Sequence, residues 1–232
     1  MTCPIDPLGR KGQNTMKKSD RNALIALPVV VLVGAGIAWA GSQGGASVRG
    51  IPIFALSIGL AFLIQWLAFI PAYLLQSERF FDLTGSITYI SCTVIALLLA
   101  PVVDGRSILL LVLVAIWAVR LGTFLVRRIR KAGKDARFDG LKPSFLRFLS
   151  VWTLQALWVT LTLAAALAAI TTTTRKALGW FALIGALVWV FGFAIEVAAD
   201  LQTSRFRAVP ENKGKFIHSG LWAWSRHPNY FG

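Results

Sequence analysis

Four side chains able to form hydrogen bonds crowd into five positions near the end of the sequence. Arg226, His227, Asn229 and Tyr230 surround Pro228 in the stretch WSRHPNYFG. Basic and aromatic side chains together suit a ligand with phosphates and a planar ring, through ion pairing, hydrogen bonds and stacking. A belt of such residues at a membrane surface has the same composition, so this stretch alone leaves both interpretations open.

Two carboxylates stand four residues apart a little earlier in the chain. Glu196 and Asp200 would share one face of a helix, where like charges repel unless a cation or a donor meets them. Ion pairs with Arg120, Arg205 or Arg207 would satisfy them structurally. A polar cofactor site would do the same, and we favour that interpretation.

Other chemical motifs are absent from the sequence. It contains no GxGxxG after a strand, no Walker loop and no GxSxG elbow. No carboxylate or cysteine that could complete a metal site accompanies His218 and His227 in the sequence. Two cysteines, Cys3 and Cys92, are too few for a disulfide framework. We therefore expect no metal site.

The elements that position these residues are membrane helices. The chain is 56% hydrophobic and only 15% charged, too few charges for the polar shell of a soluble domain of 232 residues. Each apolar run is long enough to span a bilayer, which takes about 17–25 helical residues. The runs are 23–40, 51–75, 86–103, 107–126, 148–170 and 177–199. The predicted fold is an all-α polytopic bundle of six transmembrane helices.

Lysine and arginine counts predict the orientation of that bundle. Nineteen of these residues fall in the tails and alternate loops on one side, and four fall on the other side. This positive-inside bias places both termini in the cytoplasm. Glu78, Arg79 and Asp82 then lie in an inner loop, and Arg120 lies six residues before the inner end of the fourth helix. We expect all these groups to converge on the cytoplasmic side with Glu196 and the segment after residue 200.

The same pattern divides the chain into three parts. Residues 1–22 form a cytoplasmic tail, 23–200 the six-helix membrane domain, and 201–232 a cytosol-facing segment. Ala38-Trp39-Ala40 could be the cleavage site of a secretory signal, but the long apolar run before it favours an uncleaved first helix.

The net charge of +14 does not indicate nucleic acid as a partner, because no zinc-finger or RNA-binding signature accompanies it. Arg127, Arg128, Arg130 and Lys131 adjoin a span, where basic residues commonly meet anionic lipid headgroups. The expected partners are the lipid bilayer and an apolar small-molecule substrate.

Several segments resemble the membrane family that contains steroid 5-alpha-reductases, most closely its poorly characterised bacterial and plant branch. The resemblance covers about residues 60–232 and is most specific in its last two segments. The segments are ERFFDLTGSITY, WAVRLGTFLVRRIRKAGKDARFD, GFAIEVAADLQTSRFR and NKGKFIHSGLWAWSRHPNYFG.

This resemblance implies about seven membrane helices and NADPH bound from the cytosolic side. Carried over position by position, it implies a dinucleotide site formed by residues of the fourth helix, the sixth helix and the tail. They are Arg120, Glu196, Asp200, Arg207, Lys215, Arg226, His227, Asn229 and Tyr230.

Three departures from the family pattern bear on activity. The family continues beyond HPNYFG with a glutamate and a further helix, so we expect this chain to be truncated there. Gln65 aligns where steroid-reducing members carry a catalytic glutamate, and Trp117 where they carry a tyrosine. Gln65 and Tyr89 become the candidate donors to a substrate carbonyl.

The function expected from these residues and the resemblance is NADPH-dependent reduction of a conjugated C=C bond in a lipid-like substrate. A membrane methyltransferase using S-adenosylmethionine is the first alternative, because related isoprenylcysteine methyltransferases carry a similar Arg-His-Pro motif. A non-enzymatic lipid-binding bundle is the second. The resemblance implies a bacterial inner membrane, with the endoplasmic reticulum as the alternative.

Overall fold

Six long helices dominate the computed structural model, which describes residues 18–231 except for the side chain of Ala132. They are α1 Lys18–Gly41, α2 Ile53–Leu74, α3 Phe81–Leu99, α4 Gly105–Ala132, α5 Phe145–Thr171 and α6 Trp180–Ala208. An antiparallel hairpin of β1, Ser47–Val48, and β2, Ile51–Pro52, joins α1 to α2. The start of the expected cytoplasmic tail, with Cys3, lies outside the described residues.

All six helices are long and apolar enough to cross a membrane. Helices satisfy their own backbone hydrogen bonds, which lipid cannot do for an irregular chain. The prediction of an all-α polytopic membrane bundle is therefore confirmed. The cytoplasmic placement of the termini stays a prediction.

Several helix ends differ from those expected, and three of them involve candidate residues or their helices. α4 runs to Ala132, so twelve residues rather than six separate Arg120 from its end, and α6 runs to Ala208. Basic residues in the last turn of each helix stabilise these extensions, because they face the negative end of the helix dipole. Asp82 lies in the first turn of α3 rather than in a loop, where its charge favours the positive end. The membrane boundaries at 22 and 200 stay predictions.

The described chain forms two compact units. The first comprises the residues up to 102 together with 111–173. In it α2, α3 and α5 pack on one another around buried aromatic rings, including Phe148 and Trp152. α1 approaches α2 closely at Gly34, where a Cβ would lie 2.7 Å from the Phe62 ring. Small residues permit this kind of approach between membrane helices.

A polar contact ties the start of α1 to the start of α5. The Asp20 carboxylate accepts hydrogen bonds from the Ser144 hydroxyl at 2.6 Å and from Arg147 Nε at 3.0 Å. Ser144 Oγ in turn accepts the N–H of Arg147 and caps α5. Two helices far apart in sequence are thereby held together at one end of the unit.

The second unit comprises residues 103–110 and the chain from 174 onward. It contains the first turns of α4, the whole of α6 and three 3-10 turns that follow α6. The segment after α6, residues 209–231, is called the tail. These turns are Pro210–Asn212, Gly220–Ala223 and Pro228–Tyr230. All three turns contact α6.

Candidate functional site

The two carboxylates of α6 are buried one turn apart. Glu196 is 6% exposed and Asp200 is 5% exposed. Burying a charge is costly unless hydrogen bonds or opposite charge meet it. Asn229 meets part of this need, because its Nδ2 donates to Asp200 Oδ1 at 3.3 Å. A residue of the tail therefore closes over the carboxylates of the helix.

The tail reaches Asp200 by folding back along α6. Asn212 Nδ2 donates to the carbonyl of Phe206 at 2.9 Å, six residues beyond Asp200 on α6. Farther along, Trp222 Nε1 donates to the carbonyl of Ala199 at 3.0 Å. Each contact lies nearer the carboxylates than the one before, so the chain arrives beside Asp200.

A glycine allows the middle turn of the tail to lie against the helix. The N–H of Leu221 donates to Gln202 Oε1 at 3.0 Å. Gly220, just before it, has a positive φ of 63°, and a Cβ there would lie 2.7 Å from the amide of Gln202. Any larger residue would be strained at this φ, and it would displace the Gln202 amide that accepts the N–H of Leu221.

The last turn presents an aromatic pair to the exterior of the unit. Pro228 is buried at the start of the turn, and its fixed φ sets the direction of the chain. The rings of His227 and Tyr230 stack at 5.3 Å between centroids and 16° between planes. Tyr230 is 80% exposed, so the pair offers a flat surface on which a planar ligand can stack.

Two polar atoms beside the carboxylates have no hydrogen-bond partner among residues 18–231. They are Asn229 Oδ1 and Thr203 Oγ1, and both are buried. Buried polar atoms are almost always satisfied, so these two atoms are candidates to hydrogen-bond a ligand. The same unit carries exposed cations, namely Arg205, Arg207, Lys215 and Arg226. The arrangement suits an anionic ligand with hydrogen-bond donors.

The family model described as a protein of unknown function, DUF1295, matches residues 68–232. This chain belongs to the DUF1295 family. The family includes steroid 5-alpha-reductase-like proteins. No curated protein and no solved structure matches the chain significantly.

The DUF1295 match covers all the tail and α6 positions but begins three residues after Gln65. Gln65 is fully buried on α2, and its Nε2 donates to Thr88 Oγ1 at 2.9 Å. The Thr88 hydroxyl donates its hydrogen to the carbonyl of Thr84 at 2.7 Å, so it must accept from Gln65. Gln65 Oε1 has no hydrogen-bond partner in the described chain.

Tyr89, the other expected donor, is also engaged. Its hydroxyl lies 2.7 Å from Thr162 Oγ1, and the Thr162 hydroxyl reaches the carbonyl of Trp158 at 2.8 Å. Because Thr162 has one hydroxyl hydrogen and gives it to Trp158, Tyr89 is the donor of the shared bond. The Tyr89 ring packs edge-on against Trp117 at 4.8 Å. Tyr89 can donate to a substrate only by leaving Thr162.

Arg120 and Glu78 have contacts within the first unit. The guanidinium of Arg120 lies over the Phe124 ring, 5.4 Å from its centroid. Glu78 is buried and accepts from Lys142 Nζ at 2.7 Å and from the N–H of Asp135 at 2.8 Å. Burial alone would raise the pKa of Glu78, but these hydrogen bonds outweigh burial and hold the pKa below its ordinary value. Their convergence with the tail stays a prediction.

Sequence reasoning missed three residues of the candidate site, namely Gln202, Thr203 and Trp222. Thr203 follows Glu196 by seven residues, which is the helical spacing that had already grouped Glu196 with Asp200. That periodicity could have identified it. Gln202 and Trp222 gave no such signal, because their contacts join the helix to a tail turn about twenty residues away.

Proposed function

We propose that this DUF1295 protein is a membrane-embedded, NADPH-dependent reductase of a conjugated C=C bond in a lipid-like substrate. The observation that carries the proposal is the closure of Asn229 over the buried Asp200, one turn from the buried Glu196. Arg226, His227 and Tyr230 lie within three residues of Asn229 in the sequence, so this contact keeps them near Asp200 and near the unsatisfied Asn229 Oδ1.

The tail site has the chemistry that a phosphorylated dinucleotide requires. Arg207, Lys215 and Arg226 are exposed cations that can meet phosphates. The stacked rings of His227 and Tyr230 can carry a planar base. Asn229 Oδ1 can accept a hydrogen bond from an amide or hydroxyl of the cofactor.

NADPH, when bound, supplies the hydride, and the protein supplies orientation and electrostatics. Gln65 is the proposed donor to the substrate oxygen, because its Nε2 carries a second N–H besides the one given to Thr88. A donor at that place stabilises the enolate oxygen that forms when hydride adds to the β-carbon of an enone.

The test compares two asparagines of the tail. Asn229→Ala removes the contact with Asp200, whereas Asn212→Ala removes an equally local hydrogen bond to Phe206. We expect Asn229→Ala to weaken NADPH binding by roughly 1–3 kcal/mol, the cost of leaving a buried polar partner unsatisfied. Asn212→Ala should change NADPH affinity by much less.

Isothermal titration of NADPH into the detergent-purified full-length protein measures both effects. Equal losses of NADPH affinity in the two variants would show that binding depends on the overall fold of the tail and not on the contact between Asn229 and Asp200. Unchanged affinity in Asn229→Ala would refute the assignment of the site. A variant that fails to elute as a single species in size exclusion would be replaced by Asn229→Leu, which keeps about the size of the side chain and adds no charge beside Asp200.

A further inference from the structure

An apolar groove lies in the second unit at the end of α6 remote from the tail site. It has a volume of about 440 Å³. It is lined by the first two turns of α6, the residues just before them and one residue of α4. These are Leu109, Leu178, Gly179, Trp180, Ala182, Leu183 and Ala186. Trp180 lies roughly 24 Å from Glu196 along the helix, at the rise of an α-helix.

An ion pair marks one end of the groove. Gly105 begins α4, and a Cβ there would lie 3.2 Å from Leu178 Cδ1 of the groove lining. The residue before Gly105 is Asp104, and its Oδ2 lies 3.5 Å from Arg175 Nη1. Because Asp104 adjoins Gly105 and Arg175 is three residues from Leu178, the charges lie beside the apolar lining.

Asp104 does not accept hydrogen bonds from all the N–H donors of Arg175. Its other oxygen, Oδ1, accepts from the hydroxyl of Ser107 at 2.7 Å and from the N–H of Ser107 at 2.8 Å. Arg175 Nη2 is buried and has no hydrogen-bond partner among the residues that the structure describes. Lys176 is the next residue and is exposed. The cationic groups therefore exceed the carboxylate at this end and leave buried N–H donors available to an anion.

We propose that the groove and these cations bind one anionic membrane phospholipid. One acyl chain occupies the groove, and the phosphate is held by Arg175 and Lys176. A buried guanidinium donor fits a phosphate oxygen, because Arg presents paired N–H groups that match it. The groove begins at the first turns of α4 and α6, both long enough to span a membrane, so its apolar wall continues into the hydrocarbon. Free phosphate would contact only the cations and would leave the apolar wall of the groove without a ligand.

The test measures lipid binding by mass spectrometry of the intact protein in neutral detergent. Phosphatidylglycerol and phosphatidylcholine with identical acyl chains are the two probes, and inorganic phosphate is the competitor. We expect phosphatidylglycerol to bind at least tenfold more tightly than phosphatidylcholine. Inorganic phosphate at millimolar concentration should leave it bound.

Two variants with matched controls separate the headgroup from the chain. Lys176→Gln should weaken phosphatidylglycerol binding roughly fivefold, the effect of one cation near a lipid surface, and Arg49→Gln, at an exposed turn, should not. Ala186→Phe fills the groove and should abolish binding of both lipids, whereas Ala194→Phe, outside the groove, should not.

Three results would overturn the proposal. Equal affinity for the two lipids would remove the role of the cations. Equal losses in Lys176→Gln and Arg49→Gln would mean that only overall charge matters. Displacement of phosphatidylglycerol by inorganic phosphate would reduce the site to an anion site without a lipid.

Discussion

Replacing Glu78 with glutamine removes the charge from a buried ion pair of the first unit. The side chains of Glu78 and Lys142 are 3% and 15% exposed, and their charged atoms lie 2.7 Å apart. Glu78 also accepts the N–H of Asp135, which anchors the segment between α4 and α5. The variant should therefore loosen that segment from the turn between α2 and α3.

The size of the effect follows from what remains after the substitution. Breaking a buried ion pair by removing one partner costs about 3–5 kcal/mol. Lys142 keeps Asp139 at 3.4 Å, and glutamine still accepts one hydrogen bond. We therefore expect the free energy of unfolding to fall by about 3 kcal/mol, the lower end of that range.

The stability of the wild type should also depend on pH in a defined window. The folded-state pKa of Glu78 lies below its ordinary value of 4.5. The carboxylate's contribution is therefore complete above about pH 4.5 and is lost as the pH falls through the lower folded value. Glu78→Gln has no proton to take up there, so its stability should fall less steeply in that window.

Unfolding in mixed detergent micelles, followed by tryptophan fluorescence at several pH values, measures both effects. Asp139→Asn is the control, because Asp139 is exposed and solvent screens its ion pairs, so this variant should be destabilised much less. Equal destabilisation in the two variants would refute the reasoning. An unchanged pH dependence in Glu78→Gln would refute the role assigned to the carboxylate.

Two further predictions test the packing and the orientation of the helices. Gly34→Ala places a methyl 2.7 Å from the buried Phe62 ring and should destabilise the protein by roughly 1–3 kcal/mol. Gly36→Ala is the control, because its methyl meets nothing within 4 Å and should be neutral or stabilising. Equal unfolding midpoints in the two variants would contradict the close approach of α1 to α2. Reporter fusions after Ser144 and after Thr173 should indicate cytoplasm and exterior respectively, and the reverse result would overturn the predicted orientation.

The fold could be predicted from hydropathy because a bilayer demands a minimum length of apolar helix. Six runs met that length, and six helices formed. The ends of α4 and α6 could not be predicted in the same way. Their last turns are basic and polar, and hydropathy detects the lipid-facing part of a helix rather than the helix itself. Dipole and propensity arguments at Arg130 or Arg205 would have extended both.

The site was predictable where its residues share one element. The spacing of Glu196 and Asp200 placed them on one helical face, and the structure buries both. The contact between Asp200 and Asn229 crosses 29 positions, and that between Glu78 and Lys142 crosses 64. Such pairs depend on tertiary packing, which no local pattern records. The resemblance supplied Asn229 as a site residue, but it did not supply the fold of the tail.

The measurement that tests the central proposal most directly is a pair of titrations on the detergent-purified full-length protein, one with NADPH and one with S-adenosylmethionine. Saturable binding of NADPH, weakened in Asn229→Ala and little changed in Asn212→Ala, is the result that a reductase predicts. Saturable binding of S-adenosylmethionine without NADPH would contradict the proposal and indicate a methyltransferase. Binding of neither would contradict both assignments and favour a lipid-binding bundle.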